Sequence, residues 1–211
     1  MSIRVKICGL KRPEHVAAAV EGGAAYVGFV FFPRSPRAIT PAEAVPLALE
    51  VPPGIAKVAL TVDADDATLD ELLTLVPLDM LQLHGSESPE RVAEVRQRFG
   101  LPVMKAVGFG GEEDIPTLEA ALQAADQVLV DAKPPKHADR PGGHGMPFDW
   151  RLLTGRRWPV PWMLAGGLTP GNVAEAVALT GARQVDVSTG VEKVKGEKDV
   201  GLIRAFLEAA R

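Results

Sequence analysis

Short runs of branched apolar residues alternate along this chain with longer segments whose apolar positions recur every three or four residues. The first run, Ile3–Cys8, sets Ile3, Val5 and Ile7 against Arg4, Lys6 and Cys8, so in a strand the two sets point to opposite faces. The same pattern predicts strands over Tyr26–Phe31, Ala56–Thr61, Met80–His84, Val103–Ala106, Gln127–Asp131, Trp162–Ala165 and Gln184–Ser188. Helical periodicity predicts helices over Pro13–Glu21, Pro41–Glu50, Ala67–Leu75, Pro89–Phe99, Ile115–Ala124, Phe148–Leu153 (short), Gly171–Leu179 and Val200–Ala210. Thr40-Pro41 and Ser88-Pro89 place a hydroxyl at the N-cap and proline at the first helical position, where its missing N–H costs nothing.

Strand and helix alternate through the whole length, at about 26 residues per unit, which fits an α/β fold of the (β/α)₈ TIM-barrel type, built as one domain over residues 1–211. An open doubly wound sheet is the other arrangement of such units. No G-x-G-x-x-G follows the first strand, and glycine or polar residues recur at nearly every strand's C-terminal end, as expected if those ends meet at one mouth. By alternation the barrel interior receives Lys6, Cys8, Gln82, His84, Lys105, Leu129, Asp131, Gln184, Asp186 and Ser188, while Leu81, Leu83, Val128, Val130, Val185 and Val187 face the helices. A buried lysine needs a counterion, and strand 8 closes against strand 1, so Lys6 is expected to pair with Asp186.

Composition narrows the partner. The 211 residues are 46% hydrophobic with a formal net charge of -4, and the basic residues are scattered, so there is no footprint for nucleic acid and a small molecule is the expected ligand. A single cysteine excludes an internal disulfide, and neither a leader-like start nor a run of eighteen apolar residues is present, which points to a cytoplasmic enzyme without a membrane partner.

Three glycine-containing turns occupy the last third: Gly142-Gly143-His144-Gly145, Ala165-Gly166-Gly167-Leu168 and Ser188-Thr189-Gly190-Val191. The last two follow strands 7 and 8, where barrels gather backbone N–H groups around a phosphate. The loop after strand 2, Phe32-Pro33-Arg34-Ser35-Pro36-Arg37, is stiffened by two prolines and offers Arg37 as a bidentate clamp for a carboxylate, or as a solvated loop arginine.

Taken together, Lys6-Ile7-Cys8-Gly9-Leu10, the run from Gly28 to Arg37, and Leu81-Gln82-Leu83-His84-Gly85 resemble the phosphoribosylanthranilate isomerase family. So do Val130-Asp131-Ala132, the Gly142–Gly145 loop leading to Phe148-Asp149-Trp150, the stretch Leu164–Val173, and Val185–Glu192 with Gly196, Lys198 and Asp199. The resemblance spans the chain. It departs at His144, where the family has threonine, and at Thr189, where it has serine.

The resemblance implies an aldose-ketose isomerase of tryptophan biosynthesis, converting N-(5-phosphoribosyl)anthranilate to the 1-deoxyribulose 5-phosphate derivative by an Amadori rearrangement without cofactor or metal. It implies Cys8 as the base, Asp131 as the acid, Arg37 on the anthranilate carboxylate, and backbone N–H groups at Gly143, Gly167 and Gly190 on the phosphate, with Gly166, Ser188 and Thr189 in the same turns. His84 and Asp186 face inward as substrate contacts or supports. Free thiols titrate near 8.5 and free aspartates near 3.9, so the roles require shifted groups, and Lys6 is the cation expected to favour the Cys8 thiolate. The family includes monomers and homodimers. Two other classes fit parts of the sequence: a metal-dependent hydrolase using His84, His137, His144 and Asp131, and a non-catalytic phosphate-binding barrel. Within the enzyme class, the Amadori isomerase of histidine biosynthesis resembles this fold with aspartate in place of Cys8.

Overall fold

Residues 3–133 and 148–211 are described by a computed structural model. Eight parallel strands close into a barrel in chain order: β1 (Arg4–Cys8), β2 (Tyr26–Val30), β3 (Ala56–Thr61), β4 (Met80–Leu83), β5 (Val103–Phe109), β6 (Gln127–Ala132), β7 (Trp162–Leu164) and β8 (Gln184–Val187), with β8 beside β1. Seven helices surround them among the described residues: α1 (Pro13–Glu21), α2 (Pro41–Leu49), α3 (Asp66–Leu75), α4 (Pro89–Phe99), α5 (Ile115–Ala124), α6 (Val173–Thr180) and α7 (Val200–Ala209). The barrel is therefore the arrangement adopted, and the open sheet is excluded.

Local signals set the helix starts. Thr40 accepts from the Glu43 amide while the Glu43 carboxylate accepts from Thr40, a reciprocal cap that satisfies two otherwise free donors. Ser88 caps α4 in one direction only, its hydroxyl accepting from the Arg91 amide, and Gly100 ends the helix in the left-handed conformation. Asp65 caps α3 and moves its start to Asp66, one residue before the expected Ala67. The helix expected over Gly171–Leu179 begins at Val173, because the Asn172 carboxamide instead bonds the Thr169 amide and the Gly167 carbonyl.

Three expectations change. Phe148–Leu153 holds only a 3₁₀ turn over Trp150–Leu153. Strand β5 runs past the expected Ala106 to Phe109, with Gly108 in register with Asp131. A short antiparallel hairpin, β9 (Glu192–Val194) with β10 (Glu197–Lys198), follows β8 and was not expected.

Two apolar zones result from alternation. Val5, Ile7, Leu81, Leu83, Val128, Val130, Val185 and Val187 pack outward against the helices, whereas Tyr26, Val58, Met80, Met104, Ala106, Leu129, Met163 and Ala165 fill the barrel. Lys105 corrects the expected inward set. It is in register with outward Leu83 rather than inward Gln82, and its ammonium reaches the Gly85 carbonyl at 2.8 Å and Glu87 at 2.8 Å on the helix side. At the barrel floor Gln184 accepts from the Tyr26 hydroxyl at 2.7 Å and from the Gln127 amide at 3.2 Å, which satisfies polar groups that would otherwise be costly to bury.

Candidate active site

The chemistry-bearing side chains stand at or just past the C-terminal ends of β1, β4 and β6, where alternation along the strands turns Cys8, His84 and Asp131 toward the mouth. Cys8 ends β1 with 3% of its surface exposed, and Gly28 lies opposite it on β2. A β-carbon at Gly28 would come to 3.1 Å from the Cys8 sulfur and 3.2 Å from Lys6 Cε, so the absence of a side chain there keeps room for both.

One layer below, the fully buried Lys6 ammonium meets Asp186 Oδ1 at 2.8 Å, as the adjacency of β1 and β8 required. Burial is the largest single influence and would lower the Lys6 pKa, but the Asp186 carboxylate and the Cys8 sulfur together outweigh it and hold the lysine above its ordinary value. Lys6 also reaches the Cys8 thiol. Burial is the largest influence on Cys8 and pushes its pKa up; Lys6 pulls it down by less, so the expected net drive toward thiolate is not realised in the free protein.

Across the mouth, Asp131 projects from β6. Its Oδ1 accepts from the Ala132 amide at 2.8 Å, and its Oδ2 lies 3.4 Å from His84 Nε2. The other ring nitrogen of His84 is 2.8 Å from the Gln82 carboxamide, so a line of polar groups runs from the buried interior to Asp131. His84 is thereby a neighbour of Asp131, oriented from beneath. Among the described residues no three His, Cys, Asp or Glu side chains converge as a metal site, and His137 and His144 lie outside those residues.

Arg37 folds back over Gly9, directly after Cys8: a β-carbon on Gly9 would sit 2.7 Å from Arg37 Cδ. The guanidinium is not a solvated loop group. Its Nε and Nη2 engage Glu192 at 2.6 and 3.0 Å, and Nη2 also donates to the Thr189 hydroxyl at 3.0 Å. The two-pronged edge expected for a ligand carboxylate is thus taken by Glu192, and Nη1 is the nitrogen without a partner among the described residues. Ser188 likewise is engaged, donating to the Cys8 carbonyl at 3.1 Å and accepting from Lys198 at 3.1 Å. Thr189 and Ser188 therefore act on Arg37 and β1 through their hydroxyls.

The turns after β7 and β8 close against each other. Gly166 and Gly167 adopt positive φ of 84° and 67°, and a side chain at Gly190 would run into the Leu168 carbonyl. The Gly166 and Gly167 amides take no partner among the described residues, which leaves two donors free at the barrel mouth. Gly143, the third expected amide, lies outside the described residues.

Sequence reasoning passed over Glu192 and Lys198 as contributors to the site. They sit in Glu192-Lys193-Val194-Lys195-Gly196-Glu197-Lys198, which reads as a solvated charged turn; yet the Glu192 and Lys198 side chains are 2% and 0% exposed. The only available signal was that both belong to the stretch carrying the family resemblance.

A family model described as N-(5'phosphoribosyl)anthranilate (PRA) isomerase matches residues 5–209. A relative from Cereibacter sphaeroides named N-(5'-phosphoribosyl)anthranilate isomerase is 65% identical over 209 residues, covering 99% of each chain. The crystal structure of phosphoribosyl anthranilate isomerase from Thermotoga maritima superposes with a TM-score of 0.89 at 36% identity, covering 99% of this chain and 98% of that one. A second isomerase structure, in complex with reduced 1-(o-carboxyphenylamino)-1-deoxyribulose 5-phosphate, gives a TM-score of 0.86 at 34% identity with the same coverage.

Proposed function

The chain belongs to the N-(5'-phosphoribosyl)anthranilate isomerase family, and from that premise we propose that Cys8 and Asp131 are the base and acid of its reaction. The enzyme converts N-(5-phosphoribosyl)anthranilate to 1-(2-carboxyphenylamino)-1-deoxyribulose 5-phosphate, a step of tryptophan biosynthesis. The observation that carries the assignment is that Cys8 and Asp131 face into one barrel mouth from strands on different sides, beside Arg37 and the open amides of Gly166 and Gly167.

Asp131 gives a proton to the furanose ring oxygen, the C1′–O bond breaks, and the nitrogen lone pair forms the Schiff base. The Cys8 thiolate then takes the proton from C2′, leaving an enolamine that tautomerises to the aminoketone. Two anion sites at opposite ends of the substrate hold C2′ within reach of Cys8: Arg37 for the anthranilate carboxylate, and the amides of Gly166, Gly167 and Gly190 for the phosphate. The Cys8 thiol must lose its proton against burial. Lys6, anchored by Asp186, offsets part of that cost. His84, held by Gln82, keeps the Asp131 carboxyl aimed across the mouth. The partner is a small phosphosugar; no helix among the described residues is long and apolar enough to cross a membrane.

Turnover of phosphoribosylanthranilate by wild type, Cys8→Ala and Asp131→Ala tests the assignment. Each variant is expected to lose kcat by about 10²–10⁴-fold while still binding the reduced product analogue. Either variant turning over like wild type removes its residue from the chemistry. Rescue of a tryptophan auxotroph but not a histidine auxotroph separates this reaction from the related isomerase of histidine biosynthesis.

A further inference from the structure

Gly196 and Lys198 belong to the stretch that carries the family resemblance, and the reaction gives them no task. In the fold Gly196-Glu197-Lys198 closes the β9–β10 hairpin beneath Arg37. Glu192, at the hairpin's start, is a fully used acceptor: Oε1 takes Arg37 Nε at 2.6 Å and Lys198 Nζ at 2.8 Å, and Oε2 takes Arg37 Nη2 and the Gly196 amide, both at 3.0 Å. Gly196 has a φ of 84° and packs so close to Pro36 that a β-carbon would come to 2.7 Å from the Pro36 carbonyl. The hairpin therefore grips both the Arg37 guanidinium and the loop that carries it.

The charge of this cluster matters more than its contacts. Arg37, Glu192 and Lys198 side chains are 5%, 2% and 0% exposed, so water screens them little. A bidentate Arg37–Glu192 pair by itself is neutral, and a second carboxylate arriving at Arg37 would be attracted by the guanidinium but repelled at somewhat longer range by Glu192, which cancels much of the attraction. The Lys198 ammonium restores one net positive charge, shared across the carboxylate that orients Arg37. We propose that Lys198 is a positioning residue for substrate recognition, countering Glu192 so that Arg37, locked in place by that carboxylate, still presents net positive charge through Nη1 to the anthranilate carboxylate. This rests on Arg37 being the carboxylate site, as proposed above.

Titration supports the same arrangement. Burial, only partly offset by Glu192, lowers the Lys198 pKa to about 8, whereas burial opposes but Arg37 and Lys198 together hold Glu192 at about 2. The groups facing Lys198 are Glu192 on β9, Arg37 on the loop after β2, Cys8 on β1, His15 on α1 and the Ser188 hydroxyl and carbonyl. Glu192 keeps its charge between pH 7 and 9, His15 is lowered by burial and is neutral there, and burial delays Cys8 ionisation. Loss of charge on Lys198 is then the main change in the cluster in that window.

The test is equilibrium binding of two probes by calorimetry: reduced 1-(o-carboxyphenylamino)-1-deoxyribulose 5-phosphate and its counterpart lacking the carboxyl group. Lys198→Met is expected to weaken the carboxylated probe by roughly 10- to 100-fold and to leave the other within about threefold. The double variant Glu192→Gln with Lys198→Met, whose cluster again carries one positive charge, is expected to recover most of the loss, an outcome that a purely structural role for Lys198 does not produce. Wild-type affinity for the carboxylated probe should fall as pH rises through about 8, and in the double variant it should not. Equal weakening of both probes by Lys198→Met, or no recovery in the double variant, overturns the proposal. Failure of wild type to prefer the carboxylated probe, or an Arg37→Met variant that keeps that preference, instead overturns the underlying assignment of Arg37.

Discussion

Replacing Asp186 with asparagine strips the counterion from a lysine that has no other route to solvent. Lys6 is 0% exposed and its ammonium lies 2.8 Å from the Asp186 carboxylate. At an effective dielectric near 20, charges at that separation attract by roughly 6 kcal/mol, against a desolvation cost of several kcal/mol for each ion. The pair itself therefore contributes little net stability. Removing one member is different, because the attraction goes and the Lys6 penalty stays, a loss of about 3–5 kcal/mol. For a chain of this length that corresponds to a fall in Tm of roughly 6–20 °C. The deficit should also depend on pH. Without Asp186, Lys6 sheds its proton in the folded state below its ordinary 10.5, so the unfolded chain binds more protons and the variant gains stability as pH rises. In wild type Lys6 is held above 10.5, so its contribution stays constant up to that pH. Urea denaturation of wild type and Asp186→Asn at pH 7 and pH 9.5 measures both, and the gap should narrow at the higher pH. Lys6→Met combined with Asp186→Leu, which removes both charges, should regain much of the loss. An asparagine variant within about 1 kcal/mol of wild type at pH 7 would refute the reasoning.

Other consequences of the geometry are open to measurement. Because burial raises the Cys8 pKa, its alkylation by iodoacetamide should keep accelerating above the ordinary thiol range, and Lys6→Met should push that rise to higher pH; a plateau below pH 8 in wild type counts against it. Gly28→Ala crowds Cys8 and Lys6 with a β-carbon at 3.1–3.2 Å, so we expect a destabilisation of about 1–3 kcal/mol and a lower kcat, read by denaturation and turnover, and an alanine variant equal to wild type in both would mean the two side chains have slack. Glu192, held at about 2 against an ordinary 4.5, contributes stability that is complete above 4.5 and lost as pH falls through about 2, on the order of 3 kcal/mol. Glu192→Gln should therefore show a shallower loss of stability between pH 5 and pH 2 than wild type; parallel curves would contradict the assignment.

Local chemistry was enough for several elements. Thr40-Pro41 and Ser88-Pro89 start helices because a hydroxyl cap and a proline at the first turn act within three residues, independent of what the helix packs against. Alternation along β1, β4, β6 and β8 put Cys8, Gln82, Leu129 and Asp186 inside the barrel and the valines outside, since neighbouring side chains on a strand must oppose one another. Even the Lys6–Asp186 contact was legible, because closure of an eight-stranded barrel brings its last strand to its first.

What lay beyond the sequence has one physical cause: it depended on how separate elements are phased in space. Alternation sorts the residues of one strand between two faces, but how a strand is phased against its neighbour is set across the sheet, and the register of β5 with β4 sent Lys105 to the helix side, to Glu87. Arg37 and Glu192 are 155 positions apart, and nothing within the Glu192–Lys198 turn marks two of its charges as buried. The sequence by itself determined the barrel, its helix caps and the inward strand ends that carry Cys8 and Asp131. Only the tertiary structure decided which charges face each other there, because electrostatic partners in a low-dielectric interior are chosen by packing across the chain rather than by spacing along it.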